Sequence, residues 1–98
     1  MIERTLRVLG VSGSLRAHSR SSRALRLVLE SAKLRSADTR LLDLRELDLP
    51  FYSPDREKGS EAEEALGRDM EWADAIILSS PDYHGSMSGA MKNFLDYN

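Results

Sequence analysis

Ten residues near the amino terminus, Ser12-Gly13-Ser14-Leu15-Arg16-Ala17-His18-Ser19-Arg20-Ser21, bring together the side chains best suited to hold an anion. Phosphate asks for several hydrogen-bond donors converging from one side, together with positive charge. Ser12, Ser14, Ser19 and Ser21 carry hydroxyls, and Arg16 carries a planar, permanently charged donor fork. Gly13 permits a tight turn and close backbone approach. A helix opening at the end of this stretch adds free N–H groups and a favourable dipole. A polar loop ending in a serine cap uses the same residue types, so both readings stand at this point. The Walker pattern is missing, because no Gly-Lys-Ser/Thr follows, and Gly10 and Gly13 lack the dinucleotide-loop spacing. His18 has no partner cluster near it in sequence and reads as an exposed loop histidine.

A second polar run, Ser80-Pro81-Asp82-Tyr83-His84-Gly85-Ser86-Met87-Ser88-Gly89, suits a flat ligand. Pro81 stiffens the turn, and Gly85 and Gly89 allow the backbone to come close. Tyr83 and His84 can stack on a ring or hydrogen-bond to it. Backbone N–H groups of such a loop match the carbonyl and nitrogen acceptors of a heteroaromatic ring. The competing account is a Gly/Ser-rich turn in which Ser88 caps a helix and Tyr83 packs. A Ser–His–Asp hydrolase built on His84 with Asp82 or Asp96 is disfavoured. No Gly-x-Ser-x-Gly elbow occurs, and neighbours on one loop do not form a triad by themselves.

These two runs need a scaffold, and hydrophobic periodicity supplies one. Leu6 to Val11 reads as a buried strand with Arg7 its one awkward member. Ser21 to Lys33 reads as a helix with Leu25, Val28, Leu29 and Ala32 inward. Thr39 to Leu44 is a second strand. Arg45 to Gly59 is a long loop carrying Pro50 and Pro54 around Phe51 and Tyr52, and loops of this length are often functional. Ser60-Glu61-Ala62-Glu63 is a capping box. It opens a helix to about Trp72, with Ala62, Leu66 and Met70 or Ala73 inward. Ala75 to Ser79 is a third buried strand, and a last helix begins near Ser88 or Gly89. Strands alternating with helices predict a parallel sheet with helices on its faces. Continuous apolar strands predict burial on both faces. In the order 2-1-3 the first and third strands are neighbours, so the two polar runs meet at their carboxyl ends.

Composition narrows the classes. At 98 residues the chain holds one small domain. Its 14 basic and 16 acidic residues nearly cancel, leaving no basic field for nucleic acid. It contains no run of 18 apolar residues to span a membrane. Met1-Ile2-Glu3-Arg4 leads into a strand without the apolar region of a secretory signal. The absence of cysteine excludes disulfides, thiolate metal sites and cysteine nucleophiles, and a cytoplasmic location fits. Three strands make a thin sheet with the third a bare edge. The expectation is therefore the first part of a larger domain.

Together the two runs resemble the NADPH-dependent FMN reductase family. Gly13-Ser14-Leu15-Arg16-x-x-Ser19 is similar to its flavin-phosphate loop. Ser80 to Asp96 is similar to its isoalloxazine loop and following helix, and Asp48-Leu49-Pro50-Phe51-Tyr52 to a Leu-Pro-aromatic segment of its members. The resemblance spans essentially the whole chain. It implies a flavodoxin-like three-layer α/β/α fold with a parallel sheet. Residues 1–98 would form the amino-terminal part of one FMN-binding domain whose relatives continue through two further strands and helices. FMN phosphate would sit among Ser12, Ser14, Arg16, Ser19 and Ser21, where the family often has asparagine in place of Ser21. The isoalloxazine would lie on Pro81, Asp82, Tyr83, His84, Gly85 and Ser86. Lys92, Asn93 and Asp96 would serve helix packing and an oligomer interface. The implied activity passes hydride from NADPH or NADH to flavin and on to a flavin, quinone, azo or similar small acceptor. It needs no catalytic acid or base and no metal. The implied assembly is a homo-oligomer, a dimer or tetramer. The alternative is a flavodoxin-like FMN-binding or electron-transfer module without its own NAD(P)H activity.

Overall fold

The computed structural model describes residues 4–55 and 59–98, so Met1 to Glu3 and the part of the long loop at Arg56 to Lys58 lie outside it. Six elements alternate: β1 (Arg7–Ser12), α1 (Arg20–Leu34), β2 (Asp38–Asp43), α2 (Glu61–Trp72), β3 (Ala75–Ser79) and α3 (Gly89–Asp96). The sheet is parallel in the order β2-β1-β3, with Val8 facing Thr39 on one side and Ala75 on the other. The chain thus steps outward from β1 to β2 and crosses back to β3. The loops after β1 and β3 therefore adjoin at the carboxyl end, where open α/β sheets bind ligands.

β1 is central and buried on both faces. Val8 packs with Leu25 and Leu29 of α1. Leu9 and Val11 point the other way, into a cluster with Leu42, Leu44, Leu66, Met91 and Phe94. Gly10 lets α1 lie close. A Cβ there would stand 2.8 Å from Leu29 Cδ1 and 3.0 Å from Leu25 Cδ1, both in the core. Three serines start the three helices. Ser19, Ser60 and Ser88 each accept a hydrogen bond from an N–H in the first turn, as N-caps do. In the capping box, Ser60 also donates its hydroxyl to the Glu63 carboxylate at 3.3 Å.

Two expectations need correction. β3 is not buried on both faces. Ala75 and Ile77 pack toward α1, whereas Ile76 and Leu78 are exposed because no helix among the described residues covers that part of the other face. Val28 is also exposed, with Leu27 and Leu34 beside it on α1. A sheet three strands wide supports only the central line of the helix, occupied by Leu25 and Leu29.

The amino end of the sheet is closed by charge. Asp74 pairs with Arg4, accepts from the Arg7 N–H at 2.9 Å and stands 3.5 Å from Arg7 Nε. The Arg7 backbone hydrogen bond is the main reason its carboxyl titrates below the ordinary 3.8, opposed in part by desolvation. Arg7 is thereby accommodated at the strand's start.

Candidate functional site

The first polar run folds as a loop that feeds directly into α1. Ser19 takes the Ser22 N–H at 3.2 Å. The first turn of a helix has no intrahelical acceptors, so the N–H groups of Arg20 and Ser21 remain available. Arg16 is exposed, and its guanidinium has no ion-pair partner among the described residues. The hydroxyls behave differently from one another. Ser12 is buried, and its Oγ lies 2.5 Å from Ser22 Oγ. Ser19 and Ser21 share a hydrogen bond at 2.8 Å. Ser14 is buried and accepts from the Arg16 N–H at 3.2 Å, which curls the loop back on itself. The rim of the loop is therefore made of α1 N–H groups, Arg16 and the half-buried Ser21, with Ser12 and Ser14 as its floor. His18 is exposed.

The second run forms a tight two-residue hairpin. Tyr83 N–H donates to Ser86 O at 2.9 Å, and Ser86 N–H to Tyr83 O at 3.2 Å. Both central residues have positive φ, 55° at His84 and 78° at Gly85, the pattern of a type I′ turn. This requirement accounts for Gly85, and it leaves the N–H groups of His84 and Gly85 at the tip without a backbone partner among the described residues. Asp82, Tyr83 and His84 are exposed, and Pro81 is half-buried. A shallow hollow of about 350 Å³ is lined by Ser80, Pro81, Asp82, Gly85, Ser86 and Met87.

Four serines outside the predicted set join these loops. Gly13 N–H donates to Ser79 O at 2.8 Å. Ser79 Oγ donates to Ser21 O at 2.7 Å. Ser88 N–H donates to Ser80 Oγ at 2.8 Å, and Ser88 Oγ donates to Gly13 O at 2.6 Å. The same Ser88 oxygen accepts the Met91 N–H at 3.1 Å, so one buried hydroxyl caps α3 and pins the first loop. Ser22 backs Ser12. Gly13 is needed for this closeness, since a Cβ would meet Met91 Cβ at 3.0 Å and Ser88 Oγ at 3.1 Å. Its tight fit is against α3. The clue was in plain view as serines at the end of β3 and ahead of α3, but their partners lie on other elements.

A larger groove, about 700 Å³, lies on the far side of the first loop. It is lined by Leu15, Leu44, Leu49, Phe51, Ala90 and Asn93 among others, and by none of the eleven candidate ligand residues. The donors with no partner among the described residues lie on the loops, not in this groove. Lys92 pairs with Asp96 on the exposed side of α3. Asn93 binds the long loop instead, donating to Pro50 O at 3.0 Å and accepting from Tyr52 N–H at 2.8 Å.

Residues 6–98 match the family model described as NADPH-dependent FMN reductase. An FMN-dependent NADPH-azoreductase of Staphylococcus aureus (strain USA300) is 32% identical over 92 residues, covering 89% of this chain and 49% of that protein. An NADPH azoreductase of Bacillus sp. (strain OY1-2) is 41% identical over 58 residues, covering 58% of this chain and 33% of that protein. Among solved structures, an NADH:FMN oxidoreductase in its apo form superposes with a TM-score of 0.78 at 21% identity. It covers 95% of this chain and 50% of that one. The azoreductase of Bacillus anthracis str. Sterne superposes at 0.70 and 18% identity, covering 95% and 55%. The chain spans about half the length of the S. aureus relative and of these two structures. The likeness of fold is that of flavodoxin-like reductases.

Proposed function

The chain belongs to the NADPH-dependent FMN reductase family, and on that premise we propose that it carries the flavin-binding loops of an NAD(P)H-dependent FMN oxidoreductase. One observation carries the reading: two loops from neighbouring strands, tied together through Ser88 and Gly13, set two groups of free donors at one end of the sheet. The first group suits a phosphate monoester. The N–H groups of Arg20 and Ser21 lie at the α1 terminus, the Ser21 hydroxyl stands beside them, and Arg16 is a cation with no ion-pair partner among the described residues on the same loop. The second suits a flat ring with polar edges. The hairpin tip offers the His84 and Gly85 N–H groups, the half-exposed Tyr83 ring and the Pro81 shelf.

Bound FMN would supply the hydride chemistry between nicotinamide and acceptor. The chain's own residues bind and orient. Arg16 neutralises phosphate charge, Ser19 and Ser21 hold the helix start in shape, and the type I′ turn keeps its donors aimed without reorganisation. None of these residues needs to take or give a proton. NADPH or NADH as reductant, a small-molecule acceptor, a cytoplasmic setting and assembly into a dimer or tetramer belong to the same reading.

The test is ligand discrimination. Flavin fluorescence titrations should show uptake of FMN. Arg16→Ala should cost FMN about 1.5–3 kcal/mol of binding while changing riboflavin, which lacks the phosphate, far less. Equal losses for both ligands would remove Arg16 from the phosphate site. Bleaching of the bound flavin by NADPH, followed by reoxidation with an acceptor, separates a reductase from an electron-transfer module.

A further inference from the structure

Helix α1 carries two apolar lines. Leu25 and Leu29 face the sheet and are buried. A second line, Ala24, Leu27, Ser31 and Leu34, recurs at alternating steps of three and four residues. With 3.6 residues per turn, this line lies on the opposite side of the helix from Leu25 and Leu29. All four residues are exposed, Leu27 at 72% and Leu34 at 87%. The line points directly away from the sheet, so no strand added at either edge would cover it. Steps of three and four are the spacing of a coiled-coil seam. Small and large residues alternate along it, so a second helix can come close at Ala24 and Ser31 and pack against the leucines.

The flank of the seam carries charge of both signs. Arg23 and Glu30 stand seven residues apart and therefore on the same edge. Arg23 has no ion-pair partner among the described residues, and Glu30 meets Lys33 only at 3.9 Å, with both side chains largely exposed. In an antiparallel pair of such helices, Leu27 of each copy faces Ala24 of the other. That register brings Arg23 of each copy beside Glu30 of the other. The surface is thus complementary to itself in shape and in sign, as a two-fold contact requires. A parallel pair would stack Leu27 on Leu27 and Ala24 on Ala24, which leaves uneven gaps. Antiparallel helices also set opposite dipole ends together.

We propose that α1 is a dimerisation helix, paired antiparallel with α1 of a second copy through Ala24, Leu27 and Ser31 and edged by two reciprocal Arg23–Glu30 ion pairs. The pairing gives a surface to the self-association included in the proposed function, and it rests on that reading for self-association alone. It involves no contact with flavin.

Sedimentation equilibrium of the full chain without flavin measures the dimer Kd, and circular dichroism checks folding. Leu27, Arg23 and Glu30 are exposed, so their variants should fold as the parent does. Leu27→Gln should raise the Kd about tenfold. Arg23→Glu and Glu30→Arg should each raise it about three- to tenfold, because each sets like charges together twice. An equimolar mixture of those two variants has every facing pair opposite in sign again, and it should associate about as tightly as the parent. An unchanged Kd in Leu27→Gln overturns the proposal, as does a mixture that associates no better than its components. A parent that stays monomeric overturns it too, and Leu27-dependent binding of that monomer to phosphatidylglycerol vesicles would give the seam to a lipid surface. FMN uptake is titrated separately, so the flavin reading and the helix pairing fail independently.

Discussion

The two ends of the sheet handle polarity in opposite ways. At the amino end a carboxylate, Asp74, draws in two arginines and a backbone N–H, so charge meets charge there. At the carboxyl end the links are neutral: Ser12 with Ser22, Ser79 with Ser21, Ser80 and Gly13 with Ser88. Neutral hydroxyls bind backbone groups without consuming charge. Arg16 and the first N–H groups of α1 consequently keep no ion-pair or backbone partner among the described residues, which is what the proposed phosphate site needs. The difference separates a charge-paired end from one whose donors the proposed function would use.

The largest expected effect comes from breaking the junction at the open end. Gly13→Val should drive α3 away from the first loop, lowering stability by about 3 kcal/mol in urea unfolding and abolishing FMN uptake, because Met91 Cβ has little room to yield. Full FMN affinity in a folded Gly13→Val protein would disconnect the junction from the site. Next is Ser88→Ala, which removes a helix cap and strands the buried Gly13 carbonyl. It should cost about 2 kcal/mol and weaken FMN as well, since both loops lose their common pin. The smallest change in ligand binding belongs to the closed end. Asp74→Asn should leave FMN affinity unaltered while lowering the melting temperature at neutral pH. The sign follows from the depressed carboxyl. Its stabilising contribution is present above the ordinary value of 3.8 and lost as pH falls through its lower folded-state value. The parent and Asp74→Asn melting curves should therefore converge as the solution is acidified below that range, and a constant gap would discard the account.

Much of this was legible along the chain. Leu25 and Leu29 at helical spacing marked α1, and Ser60 with Glu63 marked the start of α2 to the residue. The apolar run Leu6 to Val11 marked the central strand, which spans Arg7–Ser12. The residue types at Arg16 and at Tyr83 to Ser86 mark those loops as rich in donors. The structure gives those donors distinct places, with Ser12 and Ser14 behind the rim and the His84 and Gly85 N–H groups at a hairpin tip. Other features were hidden. Ile76 and Leu78 look like core residues, and only the absence of a covering helix among the described residues leaves them exposed. Asn93 looked like a packing residue, and its two hydrogen bonds reach residues 41 and 43 positions away.

The sequence by itself determined what is governed by short range: caps satisfied three residues onward, periodicities of two and 3.6, and the residue types that bind anions. Only the tertiary structure decided which serines stand at the rim of the first loop and which fasten the loops together. Ser88 and Gly13 are 75 residues apart, and they meet because β3 returns to lie beside β1. A hydroxyl can donate in many directions, so its role depends on which neighbour the strand order brings within 3 Å, and nothing in its own surroundings along the chain reports that.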